Sequence, residues 1–310
     1  MEALKDLEQR VAELKGLAAR AGLEAEDEIA ALEARIRSRS RAERVWQRVE
    51  LARHPQRPCA MDYITRIFGS FIELHGDRAF GDDPALVGGI GFLDGRPVTV
   101  LASRKGRTLK ENLRYRHGMA NPEGYRKALR LAKQAEKFRR PVVTLVDTAG
   151  AYPGLGAEER GIGEAIARNL RDFSRLRTPV ICIITGEGGS GGALGLCVGD
   201  KLYMLENAIY SVISPEGCAS ILLRDASRAK DAAAMLRITS GDLLEFKVIH
   251  GIIAEPPGGA QTDLEGVAGQ IRDILIKDLD SLCRRKPDVL VRYRNRKIRA
   301  LGRWNETPGA

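Results

Sequence analysis

The 310-residue chain is long enough for one large domain with an appendage or for two domains, and its 44% hydrophobic and 29% charged content is ordinary for a globular protein. Its net charge of +9 comes mostly from residues 284–303, which hold nine Lys and Arg against the single acidic residue Asp288. No stretch approaches the roughly 20 apolar residues of a membrane span, and the charged start Met1-Glu2-Ala3-Leu4-Lys5-Asp6 lacks the apolar core of a signal peptide, so we expect a cytoplasmic protein.

Residues 1–50 predict a separate helical arm. Apolar side chains recur there at three- and four-residue spacing, which is the seam of a coiled coil or of a helical hairpin. They are Leu4, Leu7, Val11 and Leu14 and, after a break near Ala21-Gly22, Leu32 and Ile36. Because the arm is too short to form its own core, we expect it to pack on the body or on a partner chain.

The body, residues 51–283, begins with a proline-containing segment, residues 54–58, that predicts an extended linker. Two β-rich runs, residues 86–93 and 97–102, are joined by Asp94-Gly95, a strong signal for a tight hairpin turn. Asn121-Pro122 then opens a helix as its cap and first residue. The apolar face of this helix is formed by Ala128, Leu131, Ala132 and Ala135.

The centre of the body predicts strands that alternate with helices. Residues 141–146 and 179–185 are short continuous apolar runs, typical of strands buried on both faces. A glycine-rich loop, residues 147–154, and a helix from about residue 158 to 176 lie between them, and a third strand is predicted at residues 201–205. Alternation of this kind indicates parallel pairing with right-handed crossovers.

The cysteines give no sign of a disulfide framework or a zinc ribbon. Their number is odd and no two of them form a CxxC pair. They are Cys59, Cys182, Cys197, Cys218 and Cys283. We expect Cys182 and Cys197 to be small core residues, and we expect no metal site in this chain.

The turn that follows the second buried strand has five glycines among the seven residues from Gly186 to Gly192. It lacks the lysine of a Walker A loop, but it matches the dinucleotide pattern G-x-G-x-x-G, with Glu206 as the acidic partner. It also matches G-x-S-x-G, which would make Ser190 the nucleophile of a hydrolase, with His250 as the only later histidine.

A third interpretation of the same turn is an oxyanion hole. Consecutive glycines let the backbone approach a ligand with no Cβ in the way, and N–H groups and the dipole at a helix N-terminus point at that ligand. Such a site stabilises an enolate or a urea-like anion without a side-chain nucleophile. We favour this interpretation, because tight packing alone should not need five glycines.

The loop at residues 147–154 strengthens the oxyanion interpretation. It too follows a buried strand and precedes a helix. Two such loops on neighbouring parallel strands lie at the same edge of the sheet, where open α/β sheets bind ligands. The sequence therefore predicts that both loops contribute to one site.

At these loops the sequence resembles the carboxyltransferase alpha subunits of bacterial acetyl-CoA carboxylases. The resemblance spans roughly residues 51 to 260. Its motifs are residues 51–58, 122–130, 147–154 with 156–161, 186–192 and 211–219. The arm and the basic tail, residues 284–310, carry less of it.

The resemblance implies an α/β fold, the crotonase-like β-β-α spiral, preceded by the helical arm. It also implies a homologous beta subunit that brings a zinc ribbon and much of the CoA site to an α2β2 heterotetramer. Carboxybiotin, attached to a biotin carboxyl carrier protein and formed by an ATP-dependent biotin carboxylase, would donate its carboxyl group to acetyl-CoA. The product would be malonyl-CoA for fatty-acid biosynthesis.

We expect two sets of site residues. In the catalytic set, the resemblance implies that Gly188, Gly189, Gly191 and Gly192 face the urea oxygen of carboxybiotin. Arg160, beside the first loop, is our candidate to bind the transferring carboxylate, because a guanidinium can hold a carboxylate through two hydrogen bonds. The cofactor-binding set comprises Ala149, Gly150, Tyr152, Gly154 and, as a candidate phosphate contact, Lys105. The competing interpretations are a helix-surface arginine for Arg160 and a solvated loop for Lys105. Ala149 stands where proline is expected in some relatives, a small change.

Two other functions stay open on the sequence. The chain could serve a different acyl-CoA or a biotin-dependent decarboxylase, because the acyl group is expected to be read by the beta subunit. It could instead be a non-catalytic scaffold that docks partners through the arm and the basic tail. We expect the tail to be a solvated extension, and we expect neither a membrane nor a nucleic acid as partner.

Overall fold

A computed structural model describes residues 2–21 and 26–302 of the chain. The chain divides into two compact units, the smaller made of Met1–Arg48 with Pro215–Arg237 and the larger of Val49–Ser214 with Ile238–Ala310. In the described part of the chain, no helix combines the length and the apolar character that crossing a membrane requires.

The helices and strands are numbered in chain order. The helices are α1 Glu2–Ala21, α2 Glu26–Ala52, α3 Ala60–Ile67, α4 Leu109–Arg114, α5 Pro122–Lys137, α6 Leu155–Glu159, α7 Ile162–Phe173, α8 Ser190–Leu194, α9 Pro215–Cys218, α10 Ala229–Leu236, α11 Ser240–Glu245, α12 Leu264–Cys283 and α13 Pro287–Arg299. The strands are β1 Gly69–Glu73, β2 Leu86–Leu93, β3 Arg96–Ser103, β4 Val142–Thr148, β5 Val180–Gly189, β6 Lys201–Leu205, β7 Ile209–Ser211 and β8 Gly251–Ile253.

In the smaller unit, α1 and α2 lie against each other as in a helical hairpin. The Lys15 ammonium lies 3.1 Å from the Glu33 carboxylate, and Val11 is buried. Leu14 is 50% exposed, so the apolar seam predicted from the sequence is buried only in part. The side chains of Leu4 and Leu7, and Gly22 at the predicted break, lie outside the described part of the structure.

The larger unit is built on a mixed eight-stranded sheet. Its order is β1-β2-β3-β4-β5-β6-β8, and β7 pairs with the end of β5 beside β6. The first three strands are antiparallel, and the pairs from β3 onward are parallel. The β2–β3 hairpin is confirmed: Asp94 and Gly95 both have positive φ (50° and 76°), as a type I′ turn requires.

The core of the larger unit lies between the sheet and the helices packed on it. Helix α5 begins at Pro122 as predicted, and its four predicted apolar residues are fully buried. Asn121 precedes the helix but makes no side-chain cap bond; its backbone N–H instead donates to the Asp83 carboxylate at 2.6 Å. Burial of the α5 face therefore stabilises the helix without the predicted cap.

The predicted extended linker at residues 54–58 is wrong, because this segment is a turn in which Arg57 and Pro58 are buried. The backbone N–H of Arg57 donates to the His54 carbonyl at 2.8 Å. The Arg57 guanidinium is 5% exposed, donates to the Thr185 carbonyl and lies 2.7 Å from the Glu255 carboxylate. Prolines fit turns as well as extended segments, and a buried ion pair decided between them here.

The helix predicted from about residue 158 to 176 is present as α7, but it is shorter than predicted and a separate short helix precedes it. Helix α6 ends at Glu159, and α7 begins at Ile162. Gly161 between them has a left-handed backbone (φ +77°), which glycine adopts without steric cost. This break places Arg160 at the junction of two helices.

The basic segment is not the solvated extension that was expected. Residues 287–299 form α13, and its Arg294 is 1% exposed. The Arg294 guanidinium lies 2.6 Å from the Asp200 carboxylate and donates to the carbonyls of Phe173, Leu176 and Thr178. A charge run thus anchors a helix to the sheet, because the buried guanidinium has a complete set of acceptors.

Candidate active site

The two glycine-rich loops meet at one edge of the sheet, as predicted. Strands β4 and β5 are parallel neighbours, with Val142 opposite Val180 at their beginnings and Thr148 opposite Gly188 at their ends. Loop 149–154 follows β4, and α8 follows β5 directly. Strand β5 runs through Gly189, so most of the predicted glycine turn is the end of a strand rather than a loop.

Two glycines allow these loops to touch through their backbones. A Cβ added to Gly189 would lie 1.9 Å from the Ala149 carbonyl oxygen. A Cβ added to Gly192 would lie 2.2 Å from the carbonyl carbon of Gly150. The ends of β4 and β5 therefore form one continuous backbone surface, which we call the glycine platform (residues 149–151 and 189–192).

Packing also explains two more glycines of the turn. An added Cβ would lie 2.5 Å from the Asp147 carboxylate at Gly186 and 2.9 Å from the Tyr210 ring at Gly188. Only at Gly191 would it make an ordinary contact, 3.6 Å from Ile166. The expectation that packing would not need five glycines is therefore wrong for four of them.

The outer side of the glycine platform is open in part. Ala149 and Ser190 are exposed, whereas Gly150 and Gly192 are buried; even so, a Cβ added to Gly150 would find no atom within 4 Å. Gly191 and Gly192 lie in the first turn of α8, where backbone N–H groups have no acceptor within the helix. Helix α8 has five residues, so the predicted dipole contributes little, and the N–H groups themselves are the available donors.

A buried lysine ties the two loops together beneath the platform. The Lys105 ammonium lies 2.7 Å from the Asp147 carboxylate and 3.0 Å from that of Glu187. The backbone N–H of Glu187 donates to Asp147 at 2.8 Å, and the Arg53 guanidinium lies 2.8 Å from the other Glu187 oxygen. We call Lys105, Asp147 and Glu187 the lysine clamp.

The electrostatics of the lysine clamp favour its charged form. Burial alone would lower the pKa of the Lys105 ammonium, but the carboxylates of Asp147 and Glu187 outweigh burial and raise it. Burial alone would raise the pKa of Glu187, but Lys105 and Arg53 hold it below its usual range. Lys105 is therefore neither a solvated loop residue nor a free cation awaiting a phosphate.

Arg160 is likewise engaged within the chain. Its Nε and Nη2 lie 3.2 and 3.1 Å from the two carboxylate oxygens of Glu123, which is 5% exposed. The guanidinium also lies 4.7 Å from the centre of the Phe80 ring. Neither interpretation of Arg160 from the sequence, as a ligand for the transferring carboxylate or as a solvated surface arginine, included this ion pair with Glu123.

Tyr152 and Gly154 shape the first loop. A Cβ added to Gly154 would lie 2.3 Å from the Tyr152 ring, so the ring folds over the glycine. The Tyr152 backbone N–H donates to the Ala120 carbonyl at 3.1 Å, and the Arg116 guanidinium lies 5.5 Å from the ring centre. These contacts fix the backbone that presents Ala149 and Gly150.

The structure excludes the hydrolase interpretation of Ser190. Ser190 is exposed with φ +49°, but His250 Nδ1 accepts a hydrogen bond from the backbone N–H of Leu202. Leu202 pairs with Cys182 near the beginning of β5. Ser190 lies eight residues further along, about 25 Å at the rise of a strand, so His250 cannot activate it.

The dinucleotide interpretation fails on the same elements. A dinucleotide turn leads from a strand into a long helix, whereas β5 continues through Gly189 and α8 is five residues long. Glu206, the proposed ribose partner, accepts a hydrogen bond from the Glu255 backbone N–H at 3.2 Å.

Two solved structures share the fold of this chain. Transcarboxylase 12S, with methylmalonyl-coenzyme A bound, matches with a TM-score of 0.60 at 19% identity, over 80% of this chain and 43% of that chain. A Pseudomonas malonate decarboxylase hetero-dimer matches with a TM-score of 0.57 at 20% identity, over 77% of this chain and 94% of that chain. The crotonase-like fold predicted from the sequence is thereby confirmed.

Sequence relatives narrow this fold to one family. A family described as acetyl co-enzyme A carboxylase carboxyltransferase-like matches residues 1–302. Proteins named acetyl-coenzyme A carboxylase carboxyl transferase subunit alpha match from Treponema denticola (64% identity; 97% of this chain, 99% of that protein) and Geobacillus sp. strain WCH70 (50%; 97% and 94%). The chain belongs to the acetyl-CoA carboxylase carboxyltransferase family, which confirms the resemblance and extends it to the arm and the basic helix.

Proposed function

We propose that this chain is the alpha subunit of a biotin-dependent acetyl-CoA carboxyltransferase, which moves a carboxyl group from carboxybiotin to acetyl-CoA and so forms malonyl-CoA. The glycine platform carries the proposal, because it offers backbone donors at a partly open surface and no side-chain nucleophile. We expect the carboxybiotin to arrive on a biotin carboxyl carrier protein, after loading by a biotin carboxylase.

The platform suits the urea group of biotin. The space over Gly150 is clear of protein atoms where a side chain would begin, and the N–H groups of Gly191 and Gly192, in the first turn of α8, are not used by the helix itself. When bound, carboxybiotin supplies an activated carboxyl group, and negative charge develops on its urea oxygen as that group leaves. Backbone donors already held in place stabilise such charge, by roughly 3 kcal/mol of barrier for each donor.

We assign a positioning role, rather than a phosphate contact, to Lys105. Its ammonium faces two carboxylates, which would repel an incoming phosphate. By joining the end of β4 to the end of β5, it keeps the two halves of the platform in contact. A displacement of about 1 Å between such groups can lower a rate by about 100-fold.

We assign a similar positioning role to Arg160. The Glu123 carboxylate occupies two of its donors, and the Arg160 carbonyl accepts from the Arg126 guanidinium at 3.1 Å. Arg160 thus fixes the junction of α6 and α7 behind the first loop, together with Tyr152 and Gly154. The transferring carboxylate then depends on backbone donors and on groups outside this chain.

The platform is half of an active site. Transfer to acetyl-CoA also requires donors for the oxygen of the acetyl enolate and a site for CoA, and we propose that a homologous beta subunit with a zinc ribbon provides both. The relatives' designation as subunit alpha supports such a partner. We expect a heterotetramer with two copies of each subunit.

Reconstitution tests this proposal. The purified chain, its beta partner, carboxylated carrier protein and acetyl-CoA should give malonyl-CoA, measured by mass spectrometry. The controls are the beta subunit alone and an uncarboxylated carrier. Product no greater than that of the beta subunit alone would refute the assignment, and faster carboxylation of propionyl-CoA than of acetyl-CoA would assign the family's chemistry to another substrate.

A further inference from the structure

A cavity lies at the edge of the sheet opposite the glycine platform, near the beginning of β5. Its volume is about 500 Å³, within the range of small-molecule sites. The residues that line it come from the end of α5, the turn before β5, and the junction of α12 with α13. Because β5 is ten residues long, the cavity and the platform are separated by about 30 Å.

The rim of this cavity is cationic. Arg139, Arg177 and Arg285 line it, against the single acidic residue Glu136; we call it the arginine cavity. In the described part of the chain, neither Arg139 nor Arg285 has a carboxylate within 4.0 Å. Arg177 pairs with Asp288 at 2.7 Å, but both side chains are more than half exposed, so this pair is weak and can open.

The end of helix α5 does not explain why position 139 holds an arginine. Helix α5 ends with a hydrogen bond from the Arg140 N–H to the Ala135 carbonyl, which leaves Arg139 with φ +54°. Glycine is favoured at such a position, because a Cβ there is strained. An arginine occupies it nonetheless, and this arginine lines the cavity.

The floor of the arginine cavity is apolar. Leu282 and Leu290 are each 2% exposed, and Pro179 is buried beside them. A bare inorganic anion would leave this floor without contacts. Guanidinium groups bind phosphate through paired hydrogen bonds, and an apolar floor suits the ring system of the same ligand.

We propose that the arginine cavity binds a phosphorylated small molecule with a ring system, of the nucleoside phosphate class. The phosphates contact Arg139, Arg177 and Arg285, and the ring lies on Leu282 and Leu290. Part of the basic segment that the sequence singled out, Arg285 to Leu290, thereby gains a role besides the Arg294 anchor. The site is independent of carboxyl transfer.

Calorimetric titration of the full chain with ADP tests the proposal. We expect binding that weakens about tenfold in Arg139→Gly and in Arg285→Gln. Arg139→Gly should keep the fold, because glycine suits the left-handed backbone, and circular dichroism checks this. Arg237→Gly is the matched control: Arg237 also ends a helix with φ +53°, but it lies outside the cavity.

Three results would overturn the proposal. The first is no ADP binding at millimolar concentration. The second is ADP binding that Arg139→Gly and Arg285→Gln leave unchanged. The third is adenosine that binds as tightly as ADP. Because CoA carries an ADP group, the titration is repeated with saturating acetyl-CoA. ADP that is displaced, but insensitive to both variants, would bind at a CoA-binding surface of this chain outside the cavity.

Discussion

At the scale of single residues, the glycines from Gly186 to Gly192 differ in what they make room for. Gly189 and Gly192 admit the backbone of the neighbouring loop, whereas Gly191 faces Ile166 at an ordinary distance. Gly150 faces open space on the other side of the contact. These positions therefore separate two roles that a glycine motif alone does not distinguish: joining the loops and leaving room for a ligand.

We expect Gly192→Ala to separate the two halves of the platform. Its methyl group would lie 2.2 Å from the Gly150 carbonyl carbon, so the loops must move apart. Overpacking of this kind costs about 1–3 kcal/mol, and the displacement should lower the transfer rate about 100-fold. Urea denaturation and the rate of malonyl-CoA formation in the reconstituted enzyme measure the two effects.

Gly269→Ala is the matched control for this change. Gly269 lies in α12, outside the platform, and its methyl group would meet no protein atom within 4 Å, so stability and transfer should change little. Equal activities of the two variants would show that the contact between the loops is not required for transfer.

The sequence identified the platform and drew attention to Lys105 and Arg160, but not to the carboxylates that these two residues contact. A run of glycines after an apolar strand is a local signal, and the pairing of neighbouring strands follows from their order. The lysine clamp joins Lys105 to Glu187, which are 82 positions apart, so it depends on the register of the strands. The only sequence signal was the presence of Asp147 and Glu187 among small residues in the two loops.

At the scale of elements, the lysine clamp connects the segment after β3 with the ends of β4 and β5. We expect Lys105→Met to lower the free energy of unfolding by about 3–5 kcal/mol, because it leaves two carboxylates close together without their cation. The rate of carboxyl transfer should fall as well, because the two loops of the platform are no longer held in place. Denaturation curves and the transfer assay measure both.

Lys133→Met provides the comparison for the clamp. Lys133 lies 2.7 Å from Asp172, but its side chain is 54% exposed, so its loss should cost less than about 1 kcal/mol. Similar losses of stability for the two variants would mean that the clamp is no more than a surface ion pair.

Several element boundaries could not be predicted because distant partners set them. The turn at residues 54–58 depends on Glu255, which pairs with the buried Arg57 from 198 positions away. The basic helix depends on Asp200, which is 94 positions from Arg294. Local patterns located the hairpin, the parallel strands and α5, whereas buried ion pairs between distant positions decided the other segments.

At the scale of the whole molecule, His250 makes stability depend on pH. Its Nδ1 accepts from the Leu202 N–H and lies 3.1 Å from the Lys297 ammonium, and Lys201 lies nearby. Burial, followed by these lysines, lowers the pKa of His250 to about 4. Burial also lowers the pKa of Lys297, to about 8. The fold therefore favours the neutral imidazole.

We expect stability to fall as the pH drops from about 6.5 towards 4, because the unfolded chain takes up a proton on His250 that the folded chain does not. Above pH 6.5 this group contributes no slope. His250→Gln keeps an acceptor for the Leu202 N–H and should flatten the loss between pH 6.5 and 5, measured by urea denaturation. An unchanged slope in the variant would assign the effect to other groups.

The assembled enzyme is the setting in which the platform acts. Family membership makes the chain a carboxyltransferase subunit. In our proposal two oxygens need hydrogen-bond donors, the urea oxygen of carboxybiotin and the oxygen of the acetyl enolate, and the loops of this chain offer donors for the first. The central claim is that the reacting ligand occupies the open space over Gly150, in front of the joined loops.

The most direct test is the steady-state kinetics of Gly150→Ala in the reconstituted enzyme. Its methyl group meets no protein atom within 4 Å, so the free energy of unfolding should be unchanged. If the ligand lies there, kcat/KM for the carboxylated carrier should fall at least about tenfold. Wild-type kinetics in a correctly folded variant would contradict the account, because the space over the platform would then not be part of the reaction.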